Sequence, residues 1–169
     1  MILDATASYR AMWTNSEDPD TVFMDERRSV KPNIVCVWEN LPFKDGSFVT
    51  VNWDPPHMLY ESKGKPMAFN FAERYGILRP ETWQSDFKRA FSEFMRVLKP
   101  EACLLMKWNN NHIADKRLLA VFPIQPKFTC AKINGSKGVR KPSSTEPRSI
   151  TSFYYWMKPV AINHSKSSS

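Results

Sequence analysis

Short apolar segments alternate with polar ones along the chain at the spacing of an α/β protein. Strands are predicted over residues 1–4, 21–25, 33–37, 47–53, 102–108, 127–133 and 151–157. Apolar residues three and four positions apart predict a long helix from Pro80 or Glu81 to Leu98, and a shorter helix is predicted over 113–122. Strands that alternate with helices indicate an α/β fold, in which a mostly parallel sheet is flanked by helices on both faces.

The long helix carries an aromatic stripe of Trp83, Phe87, Phe91 and Phe94. A stripe of this kind resembles a stacking surface for a ligand. Packing against the sheet is favoured, because residues at this spacing share the one helix face that must be buried.

Two stretches lack strand or helix periodicity. Residues 57–79 contain glycine, proline and several aromatic residues, and a loop this long in a compact domain is usually functional, often as a lid. Residues 134–149 are rich in Gly, Ser and Pro and are basic. We expect one domain over 1–162 and a disordered, serine-rich tail over 163–169.

The length of 169 residues fits one domain. The apolar runs are far shorter than the roughly 20 residues of a membrane span, and no secretory signal opens the sequence, so we expect a cytoplasmic protein without a membrane partner. Cys36, Cys103 and Cys130 fit neither a disulfide framework nor a zinc site. Buried, reduced thiols and no metal are therefore predicted.

The net charge is +7 and the sequence pI is about 9.4. A basic chain favours polyanionic partners, because each neutralised phosphate releases counterions. Solvated surfaces are often this basic, so the charge by itself is weak evidence for a nucleic-acid partner, DNA or RNA.

The most specific chemical feature is Asp54-Pro55-Pro56-His57, directly after a predicted strand. A carboxylate there lies at the carboxyl edge of the sheet, where open α/β folds bind ligands. Asp54 and the Pro55 carbonyl would accept hydrogen bonds from an exocyclic amine, whose lone pair is otherwise delocalised into its ring. The prolines stiffen the turn, and His57 would stack on the base. The alternative is a proline-stiffened turn with a capping aspartate.

Around this tetrapeptide the sequence resembles small phage-type and prokaryotic class I methyltransferases that use S-adenosylmethionine, including the adenine-N6 and cytosine-N4 DNA methyltransferases. The DPPH motif is one matching element. The others follow in family order over roughly residues 1–110: Ile2–Ala5 with Arg10–Trp13, Val22–Asp25, Leu41–Phe43 with Ser47–Phe48, Arg96–Pro100 and Lys107–Asn109. The resemblance implies a Rossmann-like fold and methyl transfer to an amino group.

Carried over by position, the resemblance assigns cofactor contacts to the start of the chain and to the ends of the second and third strands. Asp4, with Ala5 and Ser8, would lie near the methionine end. Asp25 would accept from the ribose hydroxyls, although an acid that ends a strand is often only a turn residue. Glu39, Asn40 and Leu41 would hold the adenine, and Trp38 or Leu41 would flank its ring or belong to the core.

The chain departs from the family at Ser8, where the family has a glycine. Glycine permits a positive φ and a close approach of the backbone to the cofactor. A serine forced into that conformation costs about 1–2 kcal/mol, which would weaken cofactor binding or mark a domain that has lost catalysis. The first strand also begins without the helix that often precedes it, as in a fragment or a minimal version of the fold.

Further residues are candidates for contact with the substrate. Lys107 is predicted to contact a phosphate and Asn109 a base edge, or both belong to a solvated strand end. Tyr75 would form a second wall for the base, or would only pack its loop. Arg140 and Lys141 would contact the nucleic-acid backbone, or lie in a solvated loop.

The sequence therefore predicts methyl transfer from S-adenosylmethionine to an exocyclic base amine, adenine N6 before cytosine N4. Methylation of a protein glutamine or a small-molecule amine is the second hypothesis. A degenerate methyltransferase-fold binding subunit is the third. No separate target-recognition domain is visible, which weakens any claim of sequence specificity. A homo-oligomer or a partner subunit stays possible.

Overall fold

Seven strands form one sheet in the computed structural model, which describes residues 1–59, 76–133 and 150–160. The strands are β1 (Ile2–Asp4), β2 (Thr21–Asp25), β3 (Ile34–Val35), β4 (Phe48–Trp53), β5 (Leu98–Asn109), β6 (Phe128–Ile133) and β7 (Ile150–Met157). Their order is β3-β2-β1-β4-β5-β7-β6; β1 to β5 pair in parallel, and β7 runs antiparallel to both neighbours. The α-helices are α1 (Trp83–Val97) and α2 (Asp115–Leu119). The predicted α/β fold with a mostly parallel sheet is confirmed.

The element boundaries differ from the prediction where tertiary contacts decide them. Pro80 lies two residues before Thr82, the N-cap of α1. Strand β5 begins directly at Leu98, because Leu98 pairs with Phe48 and the Glu101 N–H donates to the Lys158 carbonyl at 3.1 Å. At Glu101 the backbone has a φ of 62°, at an irregularity where the β4–β5 register shifts.

The apolar core lies between the sheet and α1. Every second residue of a strand points to that side of the sheet. The fully buried ones include Leu3, Val51, Trp53, Leu104 and Trp156. The aromatic stripe of α1 packs on them: the Trp53 ring centroid lies 4.8 Å from that of Phe87 and 5.0 Å from that of Phe94. The interpretation of the stripe as core is confirmed.

The opposite side of the sheet, here called the second face, is not covered by either of the two described α-helices. It carries Asp4, Asn52, Leu105 and Lys107, which alternate with the core residues in the paired strands. Both described α-helices pack on the core side, whereas helices had been predicted on both faces. On the second face, the connection from β1 to β2 is a series of turns instead of a helix, because residues 14–19 are polar and end in a proline.

The cysteine prediction is wrong for Cys130, which is exposed, while Cys36 and Cys103 are partly buried. Cys130 lies on β6, at the edge of the sheet, where no described helix covers its side. Within the described ranges, no group of three or more His, Cys, Asp or Glu side chains is placed to hold a metal ion. In the same part of the chain, each helix is too short or too polar to cross a bilayer.

Candidate active site

A cleft of about 250 Å³ opens at the carboxyl edge of the parallel strands. The loop after β1 and the turn after β2 form one wall. The remaining lining comes from Trp38, Asn52, Asp54, Pro56, Gly76 and Lys107. Open parallel sheets bind ligands at this edge, because the chain leaves successive strands there in loops that diverge.

Asp54 is held in place from two sides. Its backbone N–H donates to the Thr6 hydroxyl at 2.7 Å, and its Oδ2 accepts from Lys107 Nζ at 2.7 Å. The two side chains of this ion pair are about one third exposed, which leaves them open to the cleft. Because Lys107 lies on β5, the orientation of the Asp54 carboxylate is set by β5 as well as by the turn after β4.

The rest of the tetrapeptide is packed against its surroundings. Pro55 is buried and Pro56 lines the cleft. The His57 ring meets Trp108 edge to face, with centroids 6.3 Å apart. Burial lowers the pKa of His57; the nearby Asp54 opposes this, and Lys107 and His112 reinforce it. A neutral imidazole at physiological pH follows.

Gly76 sets the position of Pro56. Its φ is 74°, and a Cβ built there would lie 2.7 Å from Pro56 Cγ. We therefore expect Gly76→Ala to lower the free energy of unfolding by about 2–3 kcal/mol and to displace the tetrapeptide; for the methyl transfer that the sequence resemblance implies, kcat should fall with it. Urea denaturation and a transfer assay measure the two effects.

Gly46 offers the matched control, since its φ is 64° but nothing lies within 4 Å of a Cβ built there. Gly46→Ala should cost only the backbone strain, about 1 kcal/mol, and leave kcat unchanged. Equal losses of activity in the two variants would show that contact with Pro56 is unimportant.

Two buried polar side chains lie side by side in the cleft. Asp4, 3% exposed, is paired in register with Asn52, 7% exposed. Burial raises the pKa of Asp4 to about 6, although hydrogen bonds from Trp13 and Thr6 act in the opposite direction; the carboxylates of Asp54 and Asp25 raise it further. Within the described residues Asn52 Oδ1 has no hydrogen-bond partner. A ligand that supplies donors and positive charge would suit both groups.

Asp25 joins the two loops that form the opposite wall. Its Oδ2 accepts from the Ser8 N–H at 2.9 Å, and its carboxylate accepts from the backbone and guanidinium of Arg27 at 2.9–3.0 Å. Burial alone would raise the pKa of Asp25, but these hydrogen bonds outweigh it and lower that pKa. The neighbouring Glu26 is exposed and also lines the cleft.

Ser8 has a φ of 45°, the left-handed conformation for which glycine is suited. Ser8→Gly should raise the free energy of unfolding by about 0.5–1 kcal/mol, because relief of strain exceeds the entropic cost of glycine. Removing its Cβ also widens the approach to the cleft, so the affinity for S-adenosylmethionine, the cofactor that the sequence resemblance implies, should rise about threefold to tenfold. Calorimetric titration measures this.

Lys31 is the control for Ser8, since it is exposed and has a φ of 52° but does not line the cleft. Lys31→Gly should stabilise the fold without changing cofactor affinity. The role assigned to the Ser8 side chain is wrong if both glycine variants bind the cofactor alike.

The residues proposed around the adenine are separated by the fold. Trp38 lines the cleft and packs edge to face on Trp53, with centroids 5.4 Å apart. Leu41 is buried in the core, and its N–H donates to Glu93 Oε2 at 2.8 Å. Burial raises the pKa of Glu39. Of the two candidates to flank a ring, Trp38 is the one in the cleft; Asn40 contributes its carbonyl to the thiol of Cys36.

The substrate candidates divide in the same way. Lys107, for which the sequence suggested a phosphate contact, pairs with Asp54. Asn109 caps the turn after β5, where its Oδ1 accepts from the Asn111 N–H at 3.1 Å. Tyr75, Arg140 and Lys141 lie outside the described residues.

Four residues of the site were not singled out from the sequence: Thr6, Asn52, Arg27 and Gly76. Asn52 carried a signal, as the polar residue of an otherwise apolar strand end, and Gly76 carried a weaker one as a glycine in the long segment that follows the proline motif. Thr6 and Arg27 carried none, because their roles depend on which loops the fold brings together.

No model of a known protein family matches the chain, and no curated protein matches it. A crystal structure of an S-adenosylmethionine-dependent methyltransferase from Methanosarcina mazei does, with a TM-score of 0.60 at 13% identity, over 94% of this chain and 92% of that one. A protein from Pyrococcus horikoshii OT3 gives a TM-score of 0.54 at 13% identity, over 90% of this chain and 80% of that one. The chain therefore has the Rossmann-like fold of class I S-adenosylmethionine-dependent methyltransferases.

Proposed function

We propose that this protein transfers a methyl group from S-adenosylmethionine to an exocyclic amine of a nucleic-acid base, with adenine N6 favoured over cytosine N4. The observation that supports it best is Asp54: a carboxylate directly after β4, fixed by Lys107 and Thr6, open to a cleft at the ligand-binding edge of the sheet. A positioned acceptor is what a weakly nucleophilic amine requires.

The cleft suits the proposed cofactor in its donor set. Asp4 supplies negative charge, and Asn52 supplies a side-chain oxygen that has no partner among the described residues; both match the ammonium group of a methionine moiety. Asp25 and the adjacent Glu26 would accept from the ribose hydroxyls, and Trp38 would pack on the adenine. When bound, S-adenosylmethionine supplies an electrophilic methyl group.

The protein's own contribution to catalysis is positioning and electrostatics. Asp54 and the Pro55 carbonyl accept from the NH2 of the target base and draw its nitrogen toward tetrahedral geometry. Lys107 keeps the Asp54 carboxylate oriented. The neutral His57 ring offers an aromatic surface to the base plane, and Trp108 behind it limits its rotation. The amine proton leaves the nitrogen after transfer, when the nitrogen is cationic, and Asp54 is the adjacent acceptor.

The test is transfer of radiolabelled methyl from S-adenosylmethionine to mixed DNA and RNA, followed by nucleoside analysis. N6-methyladenine or N4-methylcytosine is the expected product. S-adenosylmethionine bound by the protein without label in any nucleoside would redirect the proposal to the second acceptor class.

One observation favours a non-catalytic alternative. The strained Ser8 is one of the residues by which the first loop lines the cleft. If the protein binds neither S-adenosylmethionine nor its demethylated product, and Ser8→Gly restores binding, the domain is better described as a degenerate binding subunit.

A further inference from the structure

The part of the second face formed by β5, β7 and β6 carries an exposed aromatic group. Tyr155 pairs in register with Leu105 on one side and with Phe128 on the other, and Phe153 lies two residues along the same strand. The Phe128 and Tyr155 rings stack, with centroids 4.2 Å apart and planes 18° apart. Phe128 is 58% exposed, so one side of this stack remains open to solvent.

Where β6 and β7 present side chains to the second face, the one charged residue is Lys132, which is exposed and pairs in register with Thr151. The two strands, Phe128–Ile133 and Ile150–Met157, contain no Asp or Glu. Two copies packed through this face would bring like charges together, which disfavours a second copy of the chain as its occupant. A polyanion with flat, apolar rings is complementary to both features.

The face is continuous with the candidate site. Lys107 projects from the second face, paired in register with Phe153, and its Nζ holds Asp54 at 2.7 Å. Met12, from the loop that lines the cleft, lies against the same amine, with Sδ 3.6 Å from Nζ. Phe153, at one end of the aromatic group, is therefore next to Lys107, which lines the cleft.

We propose that this surface, Phe128, Phe153 and Tyr155 with Lys132, binds a single-stranded segment of nucleic acid next to the target base. The inference rests on the proposed function and adds the strand state of the substrate. Bases in a single strand present their faces to aromatic side chains, whereas duplex bases present only their edges. An open sheet with exposed rings therefore selects the single strand.

The first experiment measures fluorescence anisotropy of labelled single strands of about 12 nucleotides, as DNA and as RNA, and of the matching duplex. We expect the single strands to bind more tightly than the duplex. Phe128→Ala should weaken single-strand binding about 5- to 50-fold, since each base stacked on an aromatic side chain contributes about that much. Lys132→Gln should weaken it less and reduce its dependence on salt.

Matched controls come from the opposite parts of the molecule. Val35→Ala removes an exposed apolar side chain on β3, and Lys88→Gln removes an exposed lysine on α1. Neither should change binding. Losses equal to those of Phe128→Ala and Lys132→Gln would mean that general surface apolarity and charge account for binding, and would overturn the inference.

A second measurement needs no variant. Cys130 lies on the same face, paired in register with Phe153, and is exposed. Bound oligonucleotide should slow its alkylation by N-ethylmaleimide, followed by mass spectrometry of its peptide. Unchanged alkylation at saturating oligonucleotide would overturn the proposed location.

The two proposals fail in different ways. If the protein methylates a base but Phe128→Ala binds and transfers like the parent chain, the surface is wrong and the enzymatic function stands. If single strands bind through Phe128 but no methyl transfer occurs with S-adenosylmethionine bound, the enzymatic function is wrong and the surface stands. Loss of a dimer in Phe128→Ala would assign the face to a second copy instead.

Discussion

Asp54→Ala should lower kcat by on the order of 100- to 1,000-fold while it leaves the affinity for S-adenosylmethionine within about threefold of the parent value. The reason is that, in the proposed mechanism, Asp54 acts on the acceptor amine and lies beside, and not within, the buried pair of Asp4 and Asn52. The measurement combines single-turnover transfer with calorimetric titration of the cofactor.

The substitution leaves Lys107 without its carboxylate, but the lysine is 33% exposed and water solvates it, so the fold should persist. Asp54→Asn keeps one acceptor oxygen and should lose only about tenfold. Asp45→Ala removes an acid that is 81% exposed, away from the cleft, and should be silent. Unchanged transfer in Asp54→Ala would reject the mechanism.

The sheet could be predicted from the sequence because its strands are apolar and end in recognisable polar residues. The absence of a helix between β1 and β2 was harder to predict, because the parallel pairing of those strands normally implies a crossover helix. Here a series of turns, closed by Trp13 packing on Phe23 with centroids 5.3 Å apart, makes that connection. As a consequence, part of the second face is not covered by a helix. Predicting which residues lie there would have required the register of β6 and β7.

The site was predictable where a short motif carries the chemistry and unpredictable where distant loops meet. Asp54 lines the cleft at the edge of the sheet where its place after a strand put it, whereas His57 of the same tetrapeptide packs on Trp108 and is not among the lining residues. The partner of Asp54 is 53 residues away, and the sequence suggested a phosphate contact for it. The positive φ at Ser8 follows from the missing glycine, whereas the Arg27 guanidinium on Asp25 depends on how the turn after β2 folds back.

Asp4→Asn should stabilise the protein and weaken its cofactor binding, and both effects should depend on pH. The pKa of Asp4 is raised to about 6 in the folded state from 3.8 for the unconstrained side chain. Between these values the folded chain holds a proton that the unfolded chain has lost, so this group makes stability fall as pH rises from about 4 to about 6.

At pH 8 the buried charge costs its full amount, and Asp4→Asn should raise the free energy of unfolding by about 1–3 kcal/mol. Near pH 4 the two proteins should be equally stable. Urea denaturation at several pH values measures the difference. Asp20→Asn, at an exposed acid, controls for the loss of one negative charge.

Cofactor binding should show the opposite preference. A cationic methionine moiety selects the ionised form of Asp4, so the affinity of the parent protein should fall as pH drops below about 6, by up to about tenfold per pH unit. In Asp4→Asn the affinity should be about tenfold lower at pH 8 and should lose this dependence on pH. A variant that is both more stable and equally tight in binding would show that Asp4 serves the fold alone. Under the expected result, the buried charge of Asp4 destabilises the fold but binds the ligand. Hydrogen bonds from Trp13 and Thr6, in the loop after β1, offset part of that destabilisation.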